Sequence, residues 1–265
     1  MDNLFKAFLA QSVVILVLAM GPTDAMAQAT GASREGPTQL ESPTGEVRRF
    51  PSVFGAATAF PSPAGSGFAG LTYANPRGGI EGEGPDGDAG AGYTVGNPIE
   101  NVSLTFGLAI TSLEGFGDSG SLSVSAARAI SVGPRSLTFA GVSASNLAAW
   151  GDAEDSPEAY AAYVSHLRTL RTNSGEIPIL LTAGWGDQIT IDEDTGAIEE
   201  GIFVGVGVGV ARNLSVSVSA TETQLNTGIG FSIPDLPRIS VSMGVFDVTN
   251  NVERRQFSLG VSLGF

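Results

Sequence analysis

Hydrophobic and small polar residues alternate with a period of two along most of the chain after residue 66. The pattern is clearest at the C-terminus, where Phe257, Leu259, Val261, Leu263 and Phe265 are separated only by Ser and Gly. Successive side chains of a β-strand point to opposite faces, so these five residues share one face. The two faces therefore meet different surroundings, either a protein core and water or lipid and an aqueous lumen.

Alternating segments of this kind follow one another along the chain and predict an all-β protein. We predict twelve strands, at residues 67–74, 88–96, 99–112, 119–130, 135–148, 157–168, 176–186, 201–211, 213–222, 225–233, 237–247 and 255–265. Many are about 9 to 11 residues long, which is the length that a tilted strand needs to cross a hydrocarbon layer. Strands of soluble sheets are usually about five or six residues long.

The polar face of the clearest strands is small and almost uncharged. Val204, Val206, Val208 and Val210 alternate with Gly, and residues 213–222 alternate Leu or Val with Ser. A soluble sheet places Lys, Glu or Arg on its solvent-exposed face, because these charges keep the protein soluble and block pairing between exposed strand edges. We therefore predict a closed antiparallel transmembrane β-barrel of 10 to 12 strands with up-and-down topology. A secreted soluble β-sandwich is the alternative.

The segment that begins at Ser156 is ambiguous between a helix and a strand. Ser156 and Pro157 suit the start of a helix, and Ala-rich helix formers follow them. Without this segment the barrel would have eleven strands, whereas single-chain bacterial barrels have even numbers. The parity of the strand count favours a strand at 157–168.

The N-terminal residues predict export. Residues 1–29 contain one lysine, Lys6, then an apolar run of about fourteen residues and the small residues of cleavage sites after Ala27 or Ala29, so the predicted signal peptide is 1–27 with cleavage at 27 or 29. This is the layout of a signal peptide, and the run is too short for a spanning helix. Residues 28–66 are rich in Gly, Pro and Ser and are predicted to form a flexible leader, able to extend away or to enter a cavity. The barrel is predicted to occupy residues 67–265.

Composition excludes several classes of function. The chain has no Cys, so it offers no disulfide, no thiol chemistry and no Cys-ligated metal site. Its net charge is −14, which argues against nucleic-acid binding because that requires clustered basic residues. No cofactor motif is apparent; the alternation at 205–210 (GVGVGV) lacks the Lys and the helix of a phosphate loop.

The charged residues are sorted along the predicted topology. If both termini face the periplasm, most of the acidic residues fall in the outer loops, while the inner turns carry mainly arginines such as Arg135 and Arg212. Long outer loops and tight inner turns are typical of bacterial barrels. Expected partners are outer-membrane lipids and lipopolysaccharide, to whose phosphates divalent cations could bridge the acidic loops.

Three aromatic residues are predicted to lie at the membrane interface. Phe116, Trp150 and Trp185 are each followed by Gly and Asp and are placed where a strand meets its outer loop. An aromatic ring at headgroup level followed by a solvated acid is typical of such a boundary.

The terminal alternation ending in Phe265 resembles the C-terminal signature of bacterial outer-membrane barrels. That resemblance implies recognition by the barrel-assembly machinery and escort by periplasmic chaperones, with Phe257, Leu259, Val261, Leu263 and Phe265 as the assembly signal. Residues 67–265 are also similar to a group of uncharacterised, porin-like outer-membrane barrels of cyanobacteria and other Gram-negative bacteria. The similarity lies in GYTVGNP, VSLTFGLAI, FGDSGSLSVSAAR, WGDAED and GVGVARNLSVSVSATETQLNTGIGFSIP. The group often has Lys or His with Arg where this chain has Ala126, Ala127 and Arg128. This resemblance implies a location in the outer membrane and does not indicate a substrate.

Catalysis is not expected. A barrel hydrolase needs a histidine beside its nucleophile, but His166 is the only histidine and the adjacent Ser165 would point to the opposite face of a strand. We expect a narrow porin-like channel for small solutes, favouring cations weakly because acidic loops surround its mouth. The alternative is a non-conducting structural or surface-interaction barrel closed by its leader or its loops.

Overall fold

The computed structural model describes residues 51–173, 175–192, 195–233 and 236–265. The predicted signal peptide, 1–27, and the leader up to residue 50 lie outside the described residues.

The described residues form a closed barrel of twelve antiparallel strands, each paired with its neighbours in sequence, and β1 pairs with β12. The strands are β1 (Gly67–Asn75), β2 (Asp86–Val95), β3 (Ser103–Ile110), β4 (Gly120–Gly133), β5 (Ser136–Trp150), β6 (Ala159–Thr172), β7 (Gly175–Ile191), β8 (Ile198–Ala211), β9 (Leu214–Ala220), β10 (Leu225–Ile233), β11 (Leu236–Phe246) and β12 (Gln256–Gly264). Short 3-10 turns occur at Arg77–Gly79 and Gly151–Asp155. The predicted fold class and strand count are confirmed.

The ambiguous segment after Ser156 is a strand. β6 pairs with β5 on one side and with β7 on the other. Its odd-numbered residues from Ala159 to Thr169 are buried in the barrel and its even-numbered residues point outward. Tertiary pairing therefore overrides the local helix propensity of this Ala-rich sequence.

The two ends of the barrel differ in the length of their connections. Tight connections such as 134–135 and 212–213 lie at one end, here called the turn end, together with the first residue of β1 and the last of β12. Longer connections such as 76–85, 111–119 and 247–255 lie at the other, here called the loop end. This matches the predicted arrangement of tight turns and long loops.

The outer surface carries an apolar belt. Exposed large hydrophobic side chains occur on all twelve strands, represented by Leu71, Tyr93, Phe106, Leu122, Val142, Val164, Leu181, Val204, Val218, Ile229, Leu236 and Val261. Small polar residues are buried on the opposite face, among them Thr94, Ser103, Ser145, Ser165, Thr182, Ser217, Ser219 and Ser258. Apolar residues outside and polar residues inside are the arrangement of a transmembrane barrel, since only lipid favours exposing such a belt.

The seam between β1 and β12 is closed at the turn end by the last residue of the chain. The backbone N–H of Gly67 donates to the carbonyl of Phe265 at 2.8 Å, and the N–H of Phe265 donates back at 2.9 Å. The ring of Phe265 lies where a side chain on Gly67 would be. The terminal aromatic residue thus completes the ladder that closes the barrel.

Three predicted strand ends differ from the structure by four or five residues: β3 begins at Ser103 instead of 99, β6 ends at Thr172 instead of 168, and β7 ends later than predicted. β7 does not stop at residue 186 but continues to Ile191, with a register shift against β8 between Gly186 and Thr190. The irregularity lets the strand continue past the Gly at which the sequence pattern breaks. Trp185 consequently lies within β7 rather than at its end.

In the described part of the chain, no helix is both long and apolar enough to cross a membrane.

Candidate functional site: an occupied lumen

The lumen of the barrel is occupied by the residues that precede β1. Nine of the thirteen residues 51–63, here called the lumen segment, are buried, including Val53, Phe54, Ala59 and Phe60, and the other four are half-buried. Their Gly, Pro and Ser content predicts a flexible leader, with entry into a cavity as one possibility. Within the described part of that leader, residues 51–63 lie inside the barrel and contact its wall, whereas Ala64 and Gly65 are exposed.

The lumen segment has the shape of a hook. From β1 it first reaches Phe139, near the turn end of β5, where the Phe60 ring packs. It then turns at Gly55, whose φ of +75° favours glycine, beside Asn226 at the loop end of β10.

The second arm of the hook runs back toward the turn end. Val53 lies against Gly205 and Ser52 lies against Gly207, which is closer to the turn end of β8. Both arms of the lumen segment therefore point to the same end of the barrel.

Hydroxyl groups of the wall, among them those of Ser165, Thr182, Ser217 and Ser219, hydrogen-bond to the backbone of the lumen segment. Ser217 Oγ accepts from the N–H of Phe54 at 3.0 Å, and Ser165 Oγ accepts from the N–H of Ala59 at 2.8 Å. Ser219 Oγ donates to the Phe54 carbonyl at 2.6 Å, and Thr182 Oγ1 donates to the Ala57 carbonyl at 2.8 Å. The small polar residues predicted to line the lumen thus satisfy backbone groups that would otherwise be buried without partners.

Phe54 fills a pocket made by glycines. A side chain on Gly228 or on Gly244 would collide with the Phe54 side chain, so these positions leave the space that the ring occupies. The ring also packs against Phe246, with the two centroids 4.5 Å apart. The two glycines, one on β10 and one on β11, therefore leave a space that fits one aromatic residue of the lumen segment.

A second apolar cluster forms where the lumen segment meets β5 to β8. The rings of Phe60 and Phe139 are 4.7 Å apart, and those of Tyr163 and Phe203 are 6.3 Å apart. The buried members of the cluster are Val53, Ala56, Ala59, Phe60, Phe139, Ala161, Tyr163, Leu167, Leu180 and Phe203. This region has the character of a packed protein core, whereas the sequence predicts Gly and Ser facing water.

A small cavity lies beside the lumen segment. A cavity of about 10 Å³ is lined by Thr58, Phe60, Ser103, Thr105, Ser125 and Tyr163, among others. The buried hydroxyl of Thr58 has no hydrogen-bond partner from the protein. A cavity of this size accommodates about one water molecule, which would satisfy that hydroxyl. At this place the segment leaves room for a water molecule and not for a larger solute.

The middle of the lumen is neutral. Among the described residues, the inward-facing positions between the two ends of the barrel carry no Asp, Glu, Lys or Arg. Charged residues that face inward occur only near the ends, as Asp86 and Asp88 at the loop end and Glu176 at the turn end. A charged solute would lose hydration in the middle without gaining a partner.

The loop end is held by a buried ion-pair cluster around Arg77. Its guanidinium contacts the carboxylates of Asp86 at 2.8 Å and Asp88 at 2.9 Å. It also donates to the carbonyl of Thr111, in the connection between β3 and β4. Arg77 therefore ties two outer connections together and balances two carboxylates that are largely removed from water.

Two of the three predicted interface aromatics are brought together, and the third is separate. Trp150, the last residue of β5, donates its indole N–H to the carbonyl of Gly117 at 3.0 Å, next to the highly exposed Phe116. Trp185 is exposed on the outer face of β7, between Ala162 of β6 and Ile202 of β8. Their position relative to the lipid headgroups stays a prediction.

His166 and Ser165 lie on opposite sides of the wall. His166 Nδ1 is 2.8 Å from Thr138 Oγ1 on the outer face, while Ser165 faces the lumen and contacts Ala59 and Thr182. The two groups therefore cannot act as a nucleophile and its base.

No group of three or more His, Asp or Glu residues arranged to hold a metal ion occurs among the described residues. The predicted bridging of acidic loops by divalent cations stays a proposal.

The residues that occupy the lumen, Phe54 and Phe60, are absent from the sequence-based predictions. Their signal is the run VFGAATAF at 53–60, which is more apolar than the rest of the leader.

No family model and no curated protein matches the sequence. Among solved structures, the chain is similar to the KdgM porin in complex with disordered oligogalacturonate, with a TM-score of 0.48 and 9% identity over 76% of this chain and 99% of that one. It is also similar to Omp33 of Acinetobacter baumannii, with a TM-score of 0.47 and 10% identity over 76% of this chain and 98% of that one. The NanC porin gives a TM-score of 0.46 and 7% identity, over 76% and 98% of the two chains. At these identities and TM-scores, the function has to be inferred from the barrel itself.

Proposed function

We propose that the protein is a porin-like channel of the outer membrane, closed by its own lumen segment in the state described above. A closed barrel with an apolar belt suits the outer membrane, where single-chain barrels with an even number of strands reside. Its twelve strands lie between the eight that side chains fill and the sixteen that enclose an open channel, so the bore is narrow.

The observation that carries the proposal is the way the lumen segment is held. Its backbone is bound by single neutral hydrogen bonds from Ser165, Thr182, Ser217 and Ser219, and no described ion pair links it to the wall. Each neutral hydrogen bond contributes about 1 kcal/mol. Such an occupant can leave without breaking the ladder of the barrel. Its departure uncovers the wall hydroxyls together with the apolar residues that pack against Val53, Phe54 and Phe60.

The lack of charge on the described wall in the middle of the lumen determines which solutes the proposed channel favours. Small uncharged molecules with hydroxyl or amide groups would exchange hydrogen bonds with Ser and Thr, whereas ions would pass slowly because no described charge lines the middle. Acidic residues of the outer connections raise the local concentration of cations at the mouth, which gives the weak cation preference expected from the sequence.

A second candidate function is a non-conducting structural barrel. The apolar cluster around Phe60, Phe139 and Leu180 favours it, because a buried core of this size holds the lumen segment in place permanently. In that case the barrel acts through its surface. Lipids, lipopolysaccharide and the assembly machinery are its proposed partners in both cases, and membership of the cyanobacterial-type group is proposed from the motifs quoted above.

Planar-bilayer recording of the refolded mature chain separates the two functions. We expect rare openings for the wild type and frequent, uniform steps for the variant Phe54→Ala/Phe60→Ala, which removes both ring contacts of the lumen segment. Phe106→Ala is the matched control, because Phe106 is exposed on the lipid face, and it should behave as the wild type. Silent bilayers with all three proteins, each shown to be folded by its heat-modifiable gel mobility, would leave the structural barrel as the function.

A further inference from the structure

We propose that the wall of the lumen is a peptide-binding site, and that the lumen segment is its resident ligand. The site would accept in trans an uncharged peptide that adopts the same hooked shape, with two aromatic side chains separated by small residues, entering from the turn end. Binding itself is independent of conduction; only the electrical readout below rests on the proposed channel.

The hydrogen bonds of the wall are directed at main-chain atoms. Ser165 and Ser217 accept from backbone N–H groups, and Thr182 and Ser219 donate to backbone carbonyls. The wall thus offers acceptors to backbone N–H groups and donors to backbone carbonyls, which are the two kinds of partner that a peptide backbone requires. Because no side chain of the segment takes part in these four bonds, they would form with another peptide of suitable shape.

Shape selection comes from two aromatic sites at the ends of a narrow stretch. Phe54 occupies the space beside Gly228 and Gly244, and Phe60 packs on Phe139. Between them the segment reads Gly-Ala-Ala-Thr-Ala, and the β-carbon of Ala59 is in close contact with the position where Gly141 would carry a side chain. A larger residue in the middle of the peptide would meet the wall, so the site prefers small residues flanked by aromatic ones.

Charge selects against most other peptides. The described inward-facing positions near the segment carry no charge, and the segment from 51 to 63 contains none. A charged side chain taken into this site would lose its hydration without a counter-charge. The preferred ligand is therefore an uncharged peptide.

Access is from the turn end. The arm after Phe60 leaves toward Gly65, whose N–H donates to the Thr94 carbonyl at 2.8 Å, and the other arm passes Gly207. At the loop end the Arg77 cluster ties the outer connections together. In the predicted orientation the turn end faces the periplasm, where unfolded peptides are present during export.

The first test uses the Phe54→Ala/Phe60→Ala protein in detergent and a fluorescent synthetic peptide with the sequence of residues 51–63. We expect saturable binding by fluorescence anisotropy. An added Ser165→Ala or Ser217→Ala change should weaken binding about three- to tenfold, the effect of losing one neutral hydrogen bond. Ser215→Ala is the matched control: Ser215 is buried on the same strand as Ser217, but its hydroxyl donates to the Gly230 carbonyl of the wall. It should bind the peptide as tightly as the parent.

A control peptide carries Ala in place of both phenylalanines and should not bind. Equal binding of the two peptides, no saturable binding, or an equal loss with Ser215→Ala would each overturn the proposal. If conductance of the Phe54→Ala/Phe60→Ala channel falls on adding the peptide, the site lies in the conducting path. If the peptide binds by anisotropy but the Phe54→Ala/Phe60→Ala protein does not conduct, the peptide site is supported and the proposed channel is rejected.

A second measurement keeps the resident segment intact. The chain has no Cys, so Ala56→Cys places one buried thiol at the tip of the hook. Excess peptide should displace the segment and speed the reaction of this thiol with a maleimide added from solution at least threefold, while the Ala-substituted peptide should not. An unchanged rate at saturating peptide would overturn the proposal even if the double variant fails to fold.

Discussion

Ser165 Oγ accepts a 2.8 Å hydrogen bond from the backbone N–H of Ala59, although the two residues are 106 positions apart. Ser165 is on the lumen face of β6, and Ala59 belongs to the segment that precedes the barrel. The contact shows that a small hydroxyl residue of the barrel wall binds the backbone of a segment far from it in sequence. It also makes the position of the lumen segment experimentally accessible.

A disulfide between the two positions should lock the channel. Ala59→Cys/Ser165→Cys places two thiols at adjoining positions in a chain without other cysteines, so no competing disulfide exists. We expect oxidation to abolish channel openings and a reductant to restore them, as measured in planar bilayers. Ala59→Cys alone should be insensitive to redox conditions. Conductance that persists in the fully oxidised protein would place the conducting path elsewhere.

Gly228→Ala should expel the tip of the lumen segment. The added methyl group would collide with Phe54, and such overpacking costs about 1 to 3 kcal/mol. In the Ala56→Cys background we expect thiol labelling to accelerate about tenfold or more. Gly90→Ala is the control, since the nearest atom to its new side chain is the Leu108 carbonyl oxygen at 3.6 Å, an ordinary contact. Similar rates for the two variants would contradict the tight fit of Phe54.

Arginine on the lipid face should destabilise the barrel according to depth. Val204 is exposed at the middle of β8, and Val132 is exposed at the turn end of β4. We expect Val204→Arg to lower the free energy of unfolding by about 2 to 4 kcal/mol in lipid vesicles, and Val132→Arg by about 1 kcal/mol or less. Urea titrations followed by tryptophan fluorescence measure both. Equal losses would show that the apolar belt is not solvated by lipid chains.

Phe265→Ser should impair closure of the seam. Phe265 is joined to Gly67 by two backbone hydrogen bonds and its ring covers that glycine. We expect a lower folded fraction, read from heat-modifiable gel mobility after refolding and in cells. Phe116→Ser, which alters a similarly exposed aromatic in an outer connection, should fold as the wild type. A normal yield for Phe265→Ser would remove the terminal residue from the assembly signal.

Arg77→Gln should loosen the loop end. It leaves the carboxylates of Asp86 and Asp88 buried together without a cation, which costs about 3 to 5 kcal/mol. Adding Asp88→Asn removes one of the two negative charges and should restore part of the loss in urea titrations. A double variant that is less stable than Arg77→Gln would mean that Asp88 has a favourable partner other than Arg77.

The strands were predictable because their signal is local. The alternation from Phe257 to Phe265 reports two different environments whatever lies beyond them, and the structure confirms twelve strands. β6 required a global argument, since its Ala-rich sequence suits a helix and only the need for an even number of strands favoured pairing. For Trp185 the local sequence was misleading. Its Trp-Gly-Asp triplet is the same as that of Trp150 and predicts a strand end, but β7 continues past it through a register shift.

The contents of the lumen were not predictable in the same way. The Gly, Pro and Ser of residues 51–66 are typical of a mobile leader, and the apolar pair Phe54 and Phe60 has no periodicity to mark it. Phe54 is buried only because Gly228 and Gly244 lack side chains on strands more than 170 residues later. Nothing within the segment encodes that match.

The sequence by itself determined a barrel with one apolar face and one face of small polar residues, because side-chain direction alternates residue by residue along any strand. Only the tertiary structure decided that the polar face binds protein instead of water. That outcome depends on closing the barrel, which brings hydroxyls from β6, β7 and β9 to the backbone of residues 54–59 and leaves room for two aromatic rings.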